Sequence, residues 1–245
     1  MKIVFRLVLA CSFLVIGTTS FAQDANAIVH AHAEAVGGRK AMKAVKTIRR
    51  TATISLSDQG PSIPGVFMQK RPNKTRQEFV FQGQTIVQGF DGTNAWVINP
   101  LSGSTDAQKI PEPRATEVKR LAFIDDILWE NIETRGIKLA YKGKEDIEGQ
   151  PHHYVLVTYA DGFQQHRYYN AATRFLHKVR QVQMDPTGQQ VETVTTFEDY
   201  RPVEGLNYPH KIINSVGQTV VFEETELNVR LEDSQFNMPA KGSAP

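Results

Sequence analysis

The chain has a single cysteine, Cys11, and it lies within the first 22 residues. A disulfide framework is excluded. So are a thiol nucleophile and a cysteine-based metal site once that leader is removed. A surplus of one charge is also lacking. Lys2 and Arg6 carry the whole formal excess of +2, and residues 23–245 hold equal numbers of basic and acidic side chains. That balance gives no reason to expect nucleic-acid binding or strong attraction to anionic membranes. Catalytic signatures are missing too: there is no Gly-x-Ser-x-Gly elbow, phosphate-binding loop, dinucleotide fingerprint or zinc-protease helix motif. Among the seven histidines, His30 and His32 are two apart on an expected helix and point to different sides. His152 and His153 are neighbours on an expected strand and face opposite ways. Neither pair matches a usual ligand spacing, so no metal is expected. Asp125-Asp126 and Glu145-Asp146 read as solvated acids rather than acid/base pairs. No motif calls for a cofactor, and the chain does not read as an enzyme.

Long apolar runs are confined to the N-terminus. Lys2 and Arg6 precede the apolar stretch Leu7 to Ile16, and Ser20-Phe21-Ala22 places small residues where a signal peptidase reads them. These three parts read as a cleavable secretory signal over residues 1–22, too short and too early for a membrane span. A lipoprotein cut before Cys11 is the weaker reading, because it would leave Phe13 to Ile16 as an apolar tail on the mature protein. The expected location is therefore the periplasm, with one domain over 23–239 and a flexible tail over 240–245.

The residues that are present give a clear order. DANAIVHAHAEAVGG spaces Ile28, Ala31, Ala35 and Val36 as a helix that stops at Gly37-Gly38, and a short second helix follows over Arg39 to Val45. The period then changes to two, with Ala52, Ile54 and Leu56 on one strand face. Turn signals recur from there: Asp58-Gln59-Gly60-Pro61, Gln82-Gly83-Gln84, Asp91-Gly92, Asp161-Gly162, Asp185-Pro186-Thr187-Gly188 and Glu204-Gly205. They delimit about ten or eleven strands, enough for a large antiparallel sheet that must curl or close. The last clear strand is expected over Glu226 to Leu231, with Leu227, Val229 and Leu231 on one face. One segment interrupts the pattern. Glu112 to Gly136 reads as a helix with an apolar stripe of Val118, Leu121, Ala122, Ile124 and Leu128, widened by Phe123, Ile127 and Trp129. A helical insertion this apolar must cover something, and the concave face of the sheet is the natural candidate. Trp96 and Trp129 either line a pocket or belong to the core.

Two stretches carry a family likeness. VFMQKRPNKTRQEF (66–79) followed by DGTNAWVINP (91–100) resembles the LolA family of periplasmic lipoprotein carriers: Lys-Arg-Pro-Asn on a strand, a second strand, then Asp-Gly, a tryptophan and Asn-Pro. EDYRPVEGLNYPHKI, NVRLEDSQFNMP and the leading AEAVGGRKAMKAVKTI resemble the broader group of outer membrane lipoprotein-sorting proteins. The resemblance implies an incomplete antiparallel β-barrel of about eleven strands closed by helices. It also implies acyl-chain binding in an apolar hollow, with an acylated lipoprotein or lipid as cargo and inner- and outer-membrane sorting components as partners. Arg71 matches a family arginine that matters for cargo release. Thr75 stands where the family has a phenylalanine tied to cargo transfer.

The physical reading points to the same class. Each methylene kept from water is worth roughly 0.8 kcal/mol, so carrying an acyl chain needs an unfilled apolar surface rather than a packed core. No bond is made, and no nucleophile is needed. The expected lining is Phe79, Phe81, Trp96 and Ile98 on neighbouring strands with Leu121, Ile124 and Leu128 from the helix, and Arg71-Pro72 at the rim. A second reading uses the same cavity in a sensor or adaptor that detects lipid or mislocalised lipoprotein.

Overall fold

The computed structural model describes residues 25–57, 60–124, 132, 135–184 and 189–242. The expected leader, the Asp58-Gln59 and Asp185–Gly188 turns, the Asp125-Asp126 pair, Leu128 and Trp129 lie outside the described residues.

The chain opens with α1 (Ala25–Ala35) and α2 (Arg39–Ala44). Both follow the apolar spacing, and they are separated where Gly37 and Gly38 take positive φ. A first run of strands follows: β1 (Thr47–Ser55), β2 (Ser62–Lys70), β3 (Lys74–Phe81), β4 (Gln84–Phe90), β5 (Ala95–Asn99) and β6 (Ser104–Lys109). Helix α3 (Arg114–Leu121) leads into the second run, β7 (Lys138–Ile147), β8 (Gln150–Thr158), β9 (Gln164–Asn170) and β10 (Leu176–Met184). It ends with β11 (Gln190–Val203), β12 (Leu206–Asn214) and β13 (Thr219–Leu227).

These form one antiparallel sheet of thirteen strands in the order β6-β5-β4-β3-β2-β1-β13-β12-β11-β10-β9-β8-β7. Two meanders are thus zipped together where β1 pairs with β13. The sheet does not close, because β6 and β7 remain its two edges. The fold is the expected incomplete barrel, with more strands than the eleven the turn signals suggested.

Local chemistry explains the hairpins. Gln82-Gly83, Glu148-Gly149 and Glu204-Gly205 each join two strands as a two-residue loop with positive φ at both positions. That is the conformation whose twist matches a hairpin. At Asp91 the carboxylate accepts from the N–H groups of Thr93 and Asn94 at 2.8 and 2.7 Å, fixing the β4–β5 turn.

Two expectations are corrected. The final strand ends at Leu227, not Leu231, because Asn228 takes positive φ and breaks the ladder. The insertion is not one long helix: α3 stops at Leu121. The segment's apolar residues are shared among three separate clusters. Val118 and Ala122 pack with Phe90 and Ala95 under β4 and β5. Ile124 packs against the group of Val36, Met42 and Ile48. Ile132 packs against the α1–β8 group with Val155 and Val157. Residues 114–124 form a strap laid across the open side of the sheet.

The C-terminal residues cross the opposite, outer face. Leu231 and Phe236 pack on Met68 of β2, and Met238 packs on Val87, Trp96 and Ile98. Further along, the Gly242 N–H donates to Asp106 Oδ1 at 2.9 Å.

Candidate functional site

Side chains directly opposite each other in a ladder share a face, so the registers sort the strands into inner and outer residues. Ile48 and Arg50 of β1 line the central hollow, and their β2 partners are Gln69 and Phe67. Continuing through β3 to β5, the inner face carries Thr75, Gln77, Phe79 and Phe81, then Phe90, Gln88 and Ile86, then Ala95 and Val97. Phe79 and Phe81 are therefore on the concave side. Phe79 meets Phe67 edge-on at 5.6 Å, and Phe67 meets Phe222 of β13 at 5.4 Å.

Trp96 and Ile98 do not join them. Trp96 lies opposite Gly89, and Ile98 lies opposite Val87, on the outer face. The indole lies so close over Gly89 that a Cβ there would come within 2.5 Å of the ring. Its Nε1–H donates to the Phe236 carbonyl at 2.9 Å. Both residues are fully buried under the C-terminal segment, which makes them core rather than lining.

Arg71 is committed to the backbone. Its Nε donates to the Val45 carbonyl at 2.7 Å and Nη2 to the Met42 carbonyl at 3.1 Å. It thereby ties down the C-terminal end of α2, where the Met42 carbonyl also accepts the Val45 N–H at 3.2 Å. Lys70 Nζ donates to the Leu231 carbonyl at 2.6 Å, and Lys70 and Lys74 both pair with Asp233. The Lys-Arg-Pro-Asn stretch, read from sequence as a rim, is thus a brace between α2, β2 and the C-terminal segment. Pro72 beside it is exposed, and the Thr75 hydroxyl is buried and donates to the Met68 carbonyl at 3.2 Å.

The hollow itself is a cavity of about 490 Å³, within the range of pockets that enclose small ligands. Val36, just past α1, and Met42 of α2 form one wall. Leu176 and Val179 of β10, with Phe197 and Tyr200 of β11, form another. Two irregularities make that wall possible. His177 is an extra residue in β10, and Asp199 of β11 takes positive φ without shifting the register, so Leu176 and Val179, and likewise Phe197 and Tyr200, fall on the same face although they are three apart. The strap supplies Leu121, Phe123 and Ile124 as the cover.

The cover is held at both sides. Gln69 Nε2 donates to the Leu121 carbonyl at 2.7 Å. Arg120 pairs with Asp161 of the β8–β9 turn and lies 3.9 Å over the Phe163 ring. Burial pushes the Asp161 carboxyl up, but the Phe163 N–H and the Arg120 guanidinium together outweigh it and hold it below the usual range. Leu121 itself is half exposed, at 51 %, and its side chain is not part of a packed core.

The polar groups in the hollow are residues the sequence reading did not assign to it. His32 is buried and hydrogen-bonded through Nδ1 to the Arg174 carbonyl at 3.0 Å. Burial first, and the nearby Arg167 charge as well, lower its pKa to about 4, so the ring is neutral at neutral pH. Arg167 is buried and donates to Gln165 Oε1 and, at 3.1 Å, to the Tyr159 hydroxyl. Arg50 lies between β13 and β12, and burial lowers its pKa to about 10, which still leaves it charged at neutral pH. Among the described residues no aspartate or glutamate lines the cavity. One signal for Arg50 was present. The parity that placed Ala52 and Ile54 inward also places Ile48 and Arg50 inward, two and four residues back. Nothing in the sequence marked Arg167, and His32, weighed there only as a metal ligand, has its partner 142 residues along the chain.

Among the described residues no three metal-ligating side chains gather, and no helix is long and apolar enough to cross a membrane. What the arrangement offers is an unfilled, largely apolar hollow with fixed positive charge and a cover joined by a few polar contacts.

No protein-family model and no curated protein matches the sequence. Solved structures do match the fold. A DUF1329 family protein from Desulfovibrio piger superposes with a TM-score of 0.58 at 11 % identity, covering 87 % of this chain and 97 % of that one. A LolA superfamily protein from Nitrosomonas europaea gives a TM-score of 0.56 at 12 % identity, over 85 % of this chain and 96 % of that one. A domain assigned to the outer membrane lipoprotein-sorting proteins, from Vibrio parahaemolyticus, gives 0.53 at 14 % identity, over 87 % and 97 %. At these identities the likeness is one of fold, and the fold of this chain is LolA-like.

Proposed function

We propose that this protein is a periplasmic carrier that shields the acyl chains of a lipid or lipoprotein in its half-barrel, in the service of outer membrane lipoprotein sorting. The observation that carries the proposal is the unfilled apolar hollow beneath the strap, where Val179, Phe197 and Ile124 face a cavity rather than one another. A domain that gained stability from every apolar face would have closed this space. The LolA-like fold supports the reading, since the Vibrio neighbour is itself named for lipoprotein sorting. Carriage needs no bond chemistry, only a cover that parts and reseals. Leu121 and Ile124 act in the cover, while Phe79 and Phe81 extend the apolar floor.

Native mass spectrometry with lipid extraction, on protein isolated from a Gram-negative periplasm, tests the proposal. A stoichiometric lipid or an acylated protein on the chain is the expected result. A ligand-free mass, together with indifference to fluorescent acyl probes, would overturn it.

A further inference from the structure

Arg50 is the single charged residue on the inner face of β1, where its companions are Ile48, Ala52 and Ile54. Its guanidinium carbon lies 3.3 Å from the centroid of the Phe222 ring. Nε donates to Thr225 Oγ1 at 3.1 Å and Nη2 to the Pro209 carbonyl at 2.5 Å, which leaves most of the fork's five donors uncommitted. Among the described residues no carboxylate pairs with it. Tyr208 stands beside it, with its ring centroid 5.8 Å from the same carbon and its hydroxyl buried without a hydrogen-bond partner. Both residues line the cavity.

A guanidinium without a counter-ion and a buried hydroxyl without a partner are each unfavourable, and an apolar residue would avoid both penalties. The two occur together, at one place, in a cavity whose described lining contains no acid. A ligand that brought a negative oxygen to this point would satisfy both at once, with the charge-assisted geometry that arginine provides for carboxylates and phosphates.

We propose that the hollow takes an amphiphile with an anionic head group, a carboxylate or a phosphate ester, received inside the sheet by Arg50 and the Tyr208 hydroxyl. The acyl chain then runs past Phe197 and Val179 toward Ile124 under the strap. This rests on the carrier reading and narrows its cargo: the head group is held within the barrel, not left at its mouth.

The test compares three ligands of one chain length by calorimetry on the purified protein: a fatty acid, a lysophosphatidic acid and the neutral monoacylglycerol. The expected result is an anion preference of about 10- to 100-fold over the neutral ester, the range of a charge-assisted hydrogen bond. Whichever acid binds more tightly identifies the head group. Arg50→Met should abolish the preference, and Arg50→Lys should keep part of it. If the Met variant does not fold, the wild-type comparison and the Lys variant decide. Equal affinity for all three ligands would overturn the head-group site and leave the carrier reading standing. So would a preference that survives Arg50→Met, or binding of inorganic phosphate alone without any preference among the lipids. Failure of all three to bind would remove the carrier reading, and this inference with it.

Discussion

The outer face of β4 and β5 and the inner face of β1, β11 and β12 are built from similar residues, but their neighbours use them differently. Outside, Val87, Trp96 and Ile98 meet Met238 and Phe236, and the cluster is buried and filled. Inside, Ile48, Phe197 and Tyr208 meet a cavity. The covering element accounts for the difference. The C-terminal segment is pinned by Lys70, Lys74 and the Trp96 indole N–H, and it lies flat on its strands. The strap is held by Gln69 and by the Arg120–Asp161 pair, and it bridges a gap. Apolar area that is filled stabilises the fold; apolar area that is only bridged stays available to a ligand.

The largest effect that would sharpen this comparison is on the filled side. Trp96→Ala should lower stability by about 3–5 kcal/mol, the usual loss for a buried tryptophan. Acyl-probe affinity per folded molecule should not change. Urea unfolding and probe titration read the two quantities separately, and a parallel loss of both would mean the outer cluster shapes the hollow after all.

The next effect lies in the polar wall of the hollow. His32 titrates near 4 in the fold against 6.5 in the unfolded chain. Its folded pKa is the lower one, so on acidification the unfolded chain takes up the proton first. Stability is complete above pH 6.5 and falls as the pH drops toward 4, by about 3 kcal/mol. His32→Gln should remove that part of the pH dependence. Unfolding curves for wild type and variant that run parallel from pH 7.5 to pH 4.5 would contradict the buried, neutral ring.

The smallest change in stability is expected on the bridged side. Leu121→Ala should alter unfolding by no more than about 0.5 kcal/mol, as befits an exposed side chain, yet weaken acyl-probe binding about threefold to tenfold. Equal probe affinity in wild type and variant would take Leu121 out of the cover.

Much of this molecule was legible in the sequence because it follows from near neighbours. The spacing of Ile28, Ala31 and Ala35, the Gly37-Gly38 stop and the Gln82-Gly83 and Glu204-Gly205 turns act within a few residues, and the structure places them where the sequence predicts. Legibility failed where one pattern permits two long-range outcomes. The alternation Ala95-Trp96-Val97-Ile98 says that two faces differ, but not which one looks inward. The apolar stripe from Val118 to Leu128 predicts burial, but not burial of Val118 and Ile124 in two separate places. Arg71 was read as a rim because its partners, Met42 and Val45, lie far back along the chain.

By itself, then, the sequence determined that this is a strand-rich chain without disulfides, with helical ends to its first segment and tight turns at set points. Those features depend on φ preferences, hydrophobic period and redox chemistry, all of which are local. Only the tertiary structure decided which face of the sheet is filled and which is hollow. That depends on where the C-terminal segment and the strap come to rest, and on the bulge at His177 and the positive φ at Asp199 that turn extra apolar residues inward. The difference between core and cavity is set by what lies opposite a residue in space, and no residue type or spacing records it.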